Sequence, residues 1–290
     1  MGSMEPHSRR IRAAHGLELH LLEWSTEGVP MLLLHGFGNE AHLWDDFAPK
    51  VAPHYRVLAL DQRGHGDSDH DPESRYDVHS MVEDVEALTR ALDIDRLVII
   101  GFSMGGRVAT LFAGRHPERM AGLVIVDIGP EVDPRGTTRI RGEIEEDRSP
   151  RFASIEEYAA QLSLHYPAGQ RDALLRMARY GLKPCNDGMF ELKIDPALRG
   201  VGVTADDPTQ AAEHEQAQSR EMWDALARIP CPTLVIRGAA SDILSPEVAD
   251  RMVDEVLQNG QLAIVPQAAH SVATDNPAEF TQAVCDFVLA

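Results

Sequence analysis

The chain has 290 residues, 43% of them hydrophobic, enough for one large core or a core with an inserted lobe. A net charge of −19 argues against nucleic acid and against anionic membrane surfaces, both of which attract basic patches. The three cysteines, Cys185, Cys231 and Cys285, are odd in number and widely spaced, which suggests neither a disulfide framework nor a zinc site.

No apolar stretch approaches the roughly 20 residues that span a bilayer, and no basic-then-apolar leader opens the chain. A cytoplasmic location is the expectation. Gly2-Ser3 ahead of Met4 reads as an expression-tag remnant, so residues 1–4 are set apart. Arg9–Ala13 and Leu17–Glu23, joined by His15-Gly16, predict a hairpin. Met31–Leu34, Arg56–Leu60, Leu97–Ile100, Leu123–Val126, Thr233–Ile236 and Leu262–Val265 are short apolar runs that suit strands covered on both faces. Between them, Val78, Met81, Val82, Val85, Leu88 and Leu92 fall on one helical stripe. The last helix opens with Asn276-Pro277-Ala278-Glu279, which places an N-cap, a proline at N1 and a glutamate at N3. Alternating strands and helices predict a mostly parallel sheet wrapped by helices.

From Asp127 to Cys231 there is no convincing buried strand. The interval is too long for a simple crossover and carries helix signals, among them a capping box at Ser154 and Glu157. Residues 131–224 are therefore expected to form an inserted helical cap on a core of 5–130 and 225–290.

Gly101-Phe-Ser-Met-Gly105 lies between the run ending at Ile100 and a predicted helix. That is the setting of a nucleophile elbow, a turn so tight that its flanks must lack side chains. A serine hydroxyl needs a general base, and the base needs an acid to fix its tautomer. Among 13 histidines, His270 alone follows a late strand immediately ahead of the final helix, which makes it the expected base. Asp242 and Asp127 both satisfy the chain order serine, aspartate, histidine. Asp242 is favoured, because its strand should lie beside the one that feeds His270. The oxyanion hole is expected from the N–H groups of Met104 and Phe37, the latter within the glycine-bearing loop 35–38. Trp44, Tyr166, Met177 and Trp223 are candidate substrate contacts, each with an alternative place in a core. Asp67, Asp69 and Asp71 lack the glycine and glutamate of a calcium loop and read as a structural turn.

The motifs HGFG (35–38), DQRGHGDSD (61–69), GFSMGG (101–106), RGAASD (237–242) and AAHS (268–271) together resemble those of the α/β-hydrolase fold superfamily. The resemblance implies an eight-stranded, mostly parallel sheet flanked by helices, with a cap after the sixth strand. It also implies a triad of Ser103, His270 and Asp242. Serine at the elbow departs from the aspartate of haloalkane dehalogenases and epoxide hydrolases, and Arg107 stands where cofactor-free haloperoxidases carry a further glycine.

The expected activity is hydrolysis of small to medium carboxylic esters through an acyl-enzyme on Ser103, with no metal or organic cofactor and a small molecule as partner. The alternatives are hydrolysis of enol-lactones, or of carbon–carbon bonds in vinylogous diketones, at the same site. A ligand receptor that keeps the triad, as plant hormone receptors of the superfamily do, is a third.

Overall fold

The computed structural model describes residues 5–146, 151–200 and 208–290; the expected tag remnant at 1–4 lies outside them. Eight strands form one sheet in the order β1-β2-β4-β3-β5-β6-β10-β11. They are β1 (His7–Arg12), β2 (Glu18–Glu23), β3 (Val29–Leu34), β4 (Tyr55–Leu60), β5 (Leu97–Phe102), β6 (Met120–Val126), β10 (Thr233–Gly238) and β11 (Gly260–Val265). β1 and β2 form the predicted antiparallel hairpin, β2 runs antiparallel to β4, and all later pairings are parallel. Each of the six predicted apolar runs is a strand. β5 and β10 are buried along their whole length, because helices cover both faces. β11 is the edge strand and is half-exposed, with Ile264 open to solvent.

The helices are α1 (Ala48–Val51), α2 (Val78–Ala91), α3 (Met104–Arg115), α4 (Pro134–Glu146), α5 (Ile155–His165), α6 (Arg171–Gly181), α7 (Pro208–Ala227), α8 (Pro246–Arg251), α9 (Val272–Asp275) and α10 (Pro277–Val288). α2 starts at Asp77, whose side chain accepts the Ser80 N–H, and it buries Met81, Val82, Val85 and Leu88. α10 begins as its sequence requires: the Asn276 side chain accepts the Glu279 N–H, and Pro277 takes the first turn. Each fully buried Leu or Val on these faces contributes roughly 1.5–3 kcal/mol.

Between β6 and β10 lie α4 to α7 and a second, antiparallel sheet in the order β7-β9-β8. Its strands are β7 (Arg151–Phe152), β8 (Leu182–Pro184) and β9 (Phe190–Leu192). The insertion carries the expected helices and, besides them, this small sheet, which was not anticipated from the sequence. These strands are two or three residues long and mostly exposed or half-buried, so no apolar run announces them. α5 and α6 share their own small core of Phe152, Tyr158, Leu162, Leu174 and Met177. This segment is pinned over the carboxyl ends of the strands. Tyr180 stacks on His42 at 3.4 Å, Arg176 donates to the His42 carbonyl, and the Asp195 N–H donates to the Gly64 carbonyl at 2.8 Å.

The β5–α3 turn is the tightest point of the fold. A Cβ on Gly101 would sit 2.3 Å from the Gly105 carbonyl oxygen, and one on Gly105 would sit 2.3 Å from the Leu34 carbonyl oxygen. Gly105→Ala is therefore expected to lower stability by about 3 kcal/mol or more, since rigid backbone must move. Gly142 in α4 meets nothing within 4 Å, so Gly142→Ala should raise stability by up to about 1 kcal/mol. Urea unfolding of the two variants checks this; equal effects would contradict it.

Candidate active site

Ser103 occupies the elbow with φ 50° and ψ −115°, in the left-handed half of backbone space. A non-glycine residue there is strained by about 1–3 kcal/mol, and the surroundings must hold it. They do: the Ser103 N–H donates to the Val126 carbonyl, and its own carbonyl accepts the N–H groups of Gly106 and Arg107. Its hydroxyl lies 3.0 Å from His270 Nε2, as expected from the sequence. His270 is reached by a turn through Gln267 after β11, and the Phe102 ring lies 5.0 Å from its imidazole.

The aspartate beside His270 is not the one favoured from the sequence. His270 Nδ1 lies 2.9 Å from Asp127 Oδ2, and Asp242 is turned instead to Arg139, whose Nε and Nη2 donate to its two oxygens at 2.7 and 2.9 Å. That guanidinium holds the Asp242 carboxyl below its usual range. β10 does adjoin β11, but it also adjoins β6, so adjacency alone did not separate the candidates. What separates them is reach. Asp127 is the first residue past β6, bent back by φ 48°, whereas Asp242 sits four residues beyond β10. Asp127 has no exposed side-chain surface, and its carboxylate is filled: Oδ1 accepts the Gly238 N–H, and Oδ2 accepts the Ser241 hydroxyl besides His270. Sequence reasoning missed Ser241, the neighbour of the favoured Asp242, whose hydroxyl donates to Asp127.

Met104 is the first residue of α3, where a helix leaves its N–H groups without intrahelical partners. Phe37 lines the cavity next to Ser103. The loop that carries it is locked by His35, which is fully buried. Its Nδ1 donates to the Gly36 carbonyl at 2.7 Å, and its Nε2 accepts the Gln62 N–H at 3.0 Å. Burial pulls His35 below its ordinary value, which keeps it the neutral imidazole this pattern needs. His65 packs against both, its ring 5.0 Å from His35 and 5.8 Å from Phe37.

The cavity over Ser103 and His270 is lined by Phe37 and Glu40 from the loop after β3, and by Arg139, Tyr166, Met177 and Lys193 from the segment between β6 and β10. Tyr166 and Met177, two of the candidate substrate contacts, line this cavity, and both also pack in the core shared by α5 and α6. Trp44 does not: it is fully buried beside Phe280, 6.1 Å between ring centroids, and anchors the turn before α1. Nor does Trp223, whose Nε1 donates to Glu131 while Arg251 covers its ring at 4.1 Å, tying α7 to the core. Glu40, Arg139 and Lys193 were not anticipated as cavity residues. The Asp67–Asp71 tract is a turn scaffold in which Asp67 pairs with Lys193, Asp69 with Arg10 and Asp71 with Arg63 and Arg75.

Residues 29–277 match the model of the alpha/beta hydrolase fold family. The chain belongs to the alpha/beta hydrolase fold family. It is 23% identical over 261 residues to the 2-(acetamidomethylene)succinate hydrolase of Mesorhizobium japonicum, covering 90% of this chain and 88% of that one. It is 26% identical over 281 residues to a pimeloyl-[acyl-carrier protein] methyl ester esterase of Pectobacterium carotovorum, covering 93% and 99%. An alpha/beta hydrolase of Novosphingobium aromaticivorans superposes with a TM-score of 0.82 at 30% identity, covering 99% of both chains. The fold and membership in a hydrolase family follow. No helix among the described residues is long and apolar enough to cross a membrane.

The buried imidazoles under the Phe37 loop make an acid-sensitive point. Burial lowers His65 to about 3. An unfolded histidine takes its proton near pH 6.5. Between these values the unfolded chain binds the extra proton, so stability falls as pH falls, by up to about 1.4 kcal/mol per pH unit. His65→Asn should flatten urea-unfolding stability against pH between about 4 and 6.5 by nearly that slope; an unchanged slope would contradict this.

Proposed function

We propose that the protein is a serine hydrolase that cleaves carboxylic esters of small to medium size through an acyl-enzyme on Ser103. The observation that carries this reading is the unbroken relay from the Ser103 hydroxyl to His270 at 3.0 Å and from His270 to Asp127 at 2.9 Å. In this reading Asp127 takes the role that the sequence had given to Asp242.

Asp127 accepts the proton-bearing Nδ1 of His270, which leaves Nε2 as the base. Ser103 Oγ attacks the ester carbonyl carbon while its proton passes to Nε2. The carbonyl electron pair moves to oxygen, and the N–H groups of Met104 and Phe37 hold the resulting oxyanion. The tetrahedral centre collapses, the carbon–oxygen bond to the leaving group breaks, and Nε2 returns the proton to the departing alkoxide. A water molecule then attacks the acyl carbon, giving its proton to Nε2. Collapse expels Ser103 Oγ, which recovers that proton, and the free acid leaves.

A second reading keeps these groups and changes the substrate to an enol-lactone or to the carbon–carbon bond of a vinylogous diketone. The similarity to 2-(acetamidomethylene)succinate hydrolase supports looking beyond simple esters. A panel with fast lactone or diketone turnover and poor ester turnover would favour it.

Ser103→Ala is expected to abolish turnover of p-nitrophenyl acetate while melting as the parent does; near-normal activity would remove Ser103 as nucleophile. Asp127→Asn should lower kcat on the order of 10⁴-fold by stabilising the wrong tautomer. Asp242→Asn should change kcat less than about tenfold, because Asp242 does not touch His270. Steady-state kinetics of the pair decide between the two acids, and the reverse ranking would restore Asp242.

A further inference from the structure

We propose that Glu40 is a substrate-recognition residue, whose Oε1 donates a hydrogen bond to a carboxylate of the substrate remote from the bond that is cleaved, with Lys193 attracting the same group. The inference deepens the hydrolase reading of Ser103 and rests on it: the preferred substrates are half-esters of short dicarboxylic acids.

Glu40 is 4% exposed and lines the cavity that holds Ser103 and His270. One oxygen is accounted for: Oε2 accepts the His42 N–H at 2.7 Å and caps the turn Ala41–Trp44. Oε1 has no hydrogen-bond partner among the described residues. Capping needs one acceptor, which a serine or asparagine would supply. A second carboxyl oxygen at a cavity wall is surplus to that role.

Its surroundings favour the proton-bearing form. Burial and the neighbouring Asp61 carboxylate, with a smaller contribution from Asp45, raise Glu40 well above the usual carboxylate range; the His42 N–H and Lys193 oppose this. Asp61 keeps the charge, because His20 Nδ1 and the N–H groups of Ala41 and Asp67 donate to it. With Oε2 occupied as an acceptor, the Glu40 proton sits on Oε1 and points a donor at the ligand. An O–H donor meeting a carboxylate makes a short, charge-assisted bond.

Lys193 supplies the sign. It lines the same cavity, one of only three lysines in a chain of net charge −19. Its Nζ is ion-paired with Asp67 at 2.7 Å, and a lysine ammonium carries three donors, so N–H groups remain for a ligand. A neutral donor beside a cation recognises an anion best: an ester carbonyl at that place would accept from Glu40 but leave the cation without a counter-charge, and an alkyl group would use neither.

The test uses Ser103→Ala, which binds without turning over, and calorimetry with the monomethyl esters of succinic, glutaric and adipic acids against their dimethyl esters. At least one half-ester should bind about tenfold or more tightly than its diester. Adding Glu40→Gln, which keeps a donor, should preserve that preference. Adding Glu40→Ala should reduce it below about threefold, and Lys193→Met should weaken it. Equal affinities for half-ester and diester, or loss of the preference in Glu40→Gln as complete as in Glu40→Ala, would overturn the proposal. The half-ester comparison on the parent and Glu40→Gln decides even where Glu40→Ala does not fold. Wild-type protein that turns over no ester would remove the hydrolase reading instead, and the binding result would still be read separately.

Discussion

The close approach of β5, α3 and the end of β3 around Ser103 governs the rest of the molecule. Two glycines without side chains let backbone meet backbone there, and the helix that follows starts at once. The hydroxyl of the strained serine meets His270, and the N–H of Met104, the first of α3, is left without an intrahelical partner. Strain of this kind survives only where neighbours over-determine it. Here the neighbours are the strand ends themselves, through the Val126 carbonyl and the buried core on both faces of the sheet.

Around that point the protein buries polar groups in closed sets. Asp127 is satisfied by a backbone N–H, a serine hydroxyl and an imidazole; Arg63, fully buried, by Asp84 and Asp71; His35 by a carbonyl and an amide N–H. Each set fixes one loop at the carboxyl edge of the sheet. Buried charge is tolerated there because every member has a partner. Glu40 stands apart: it lines the cavity, and among the described residues only one of its oxygens has a hydrogen-bond partner.

Most of the core was legible because its signals are local. Short apolar runs gave the strands, one helical stripe gave α2, and capping residues gave the start of α10. Ser103 and His270 were legible for a related reason: an elbow is a five-residue pattern, and a residue between the last strand and last helix has few places to go. The aspartate that contacts His270 was not, because both candidates follow strands that border β10 or belong to it. Choosing between them needs the backbone turn at Asp127 and the Arg139 partner of Asp242, which residue order does not encode. Trp44 and Trp223 failed likewise: a large aromatic near a site in sequence says nothing of which side of the sheet it packs on. The strands between β6 and β10 are too short and too polar to carry a period.

Mass spectrometry of protein treated with a fluorophosphonate ester tests most directly whether His270 and Asp127 make the Ser103 hydroxyl nucleophilic. A single covalent adduct is expected on the peptide carrying Ser103, formed far more slowly in Asp127→Asn and at nearly the parental rate in Asp242→Asn. An adduct elsewhere, no adduct at all, or equal labelling of parent and Asp127→Asn would contradict it.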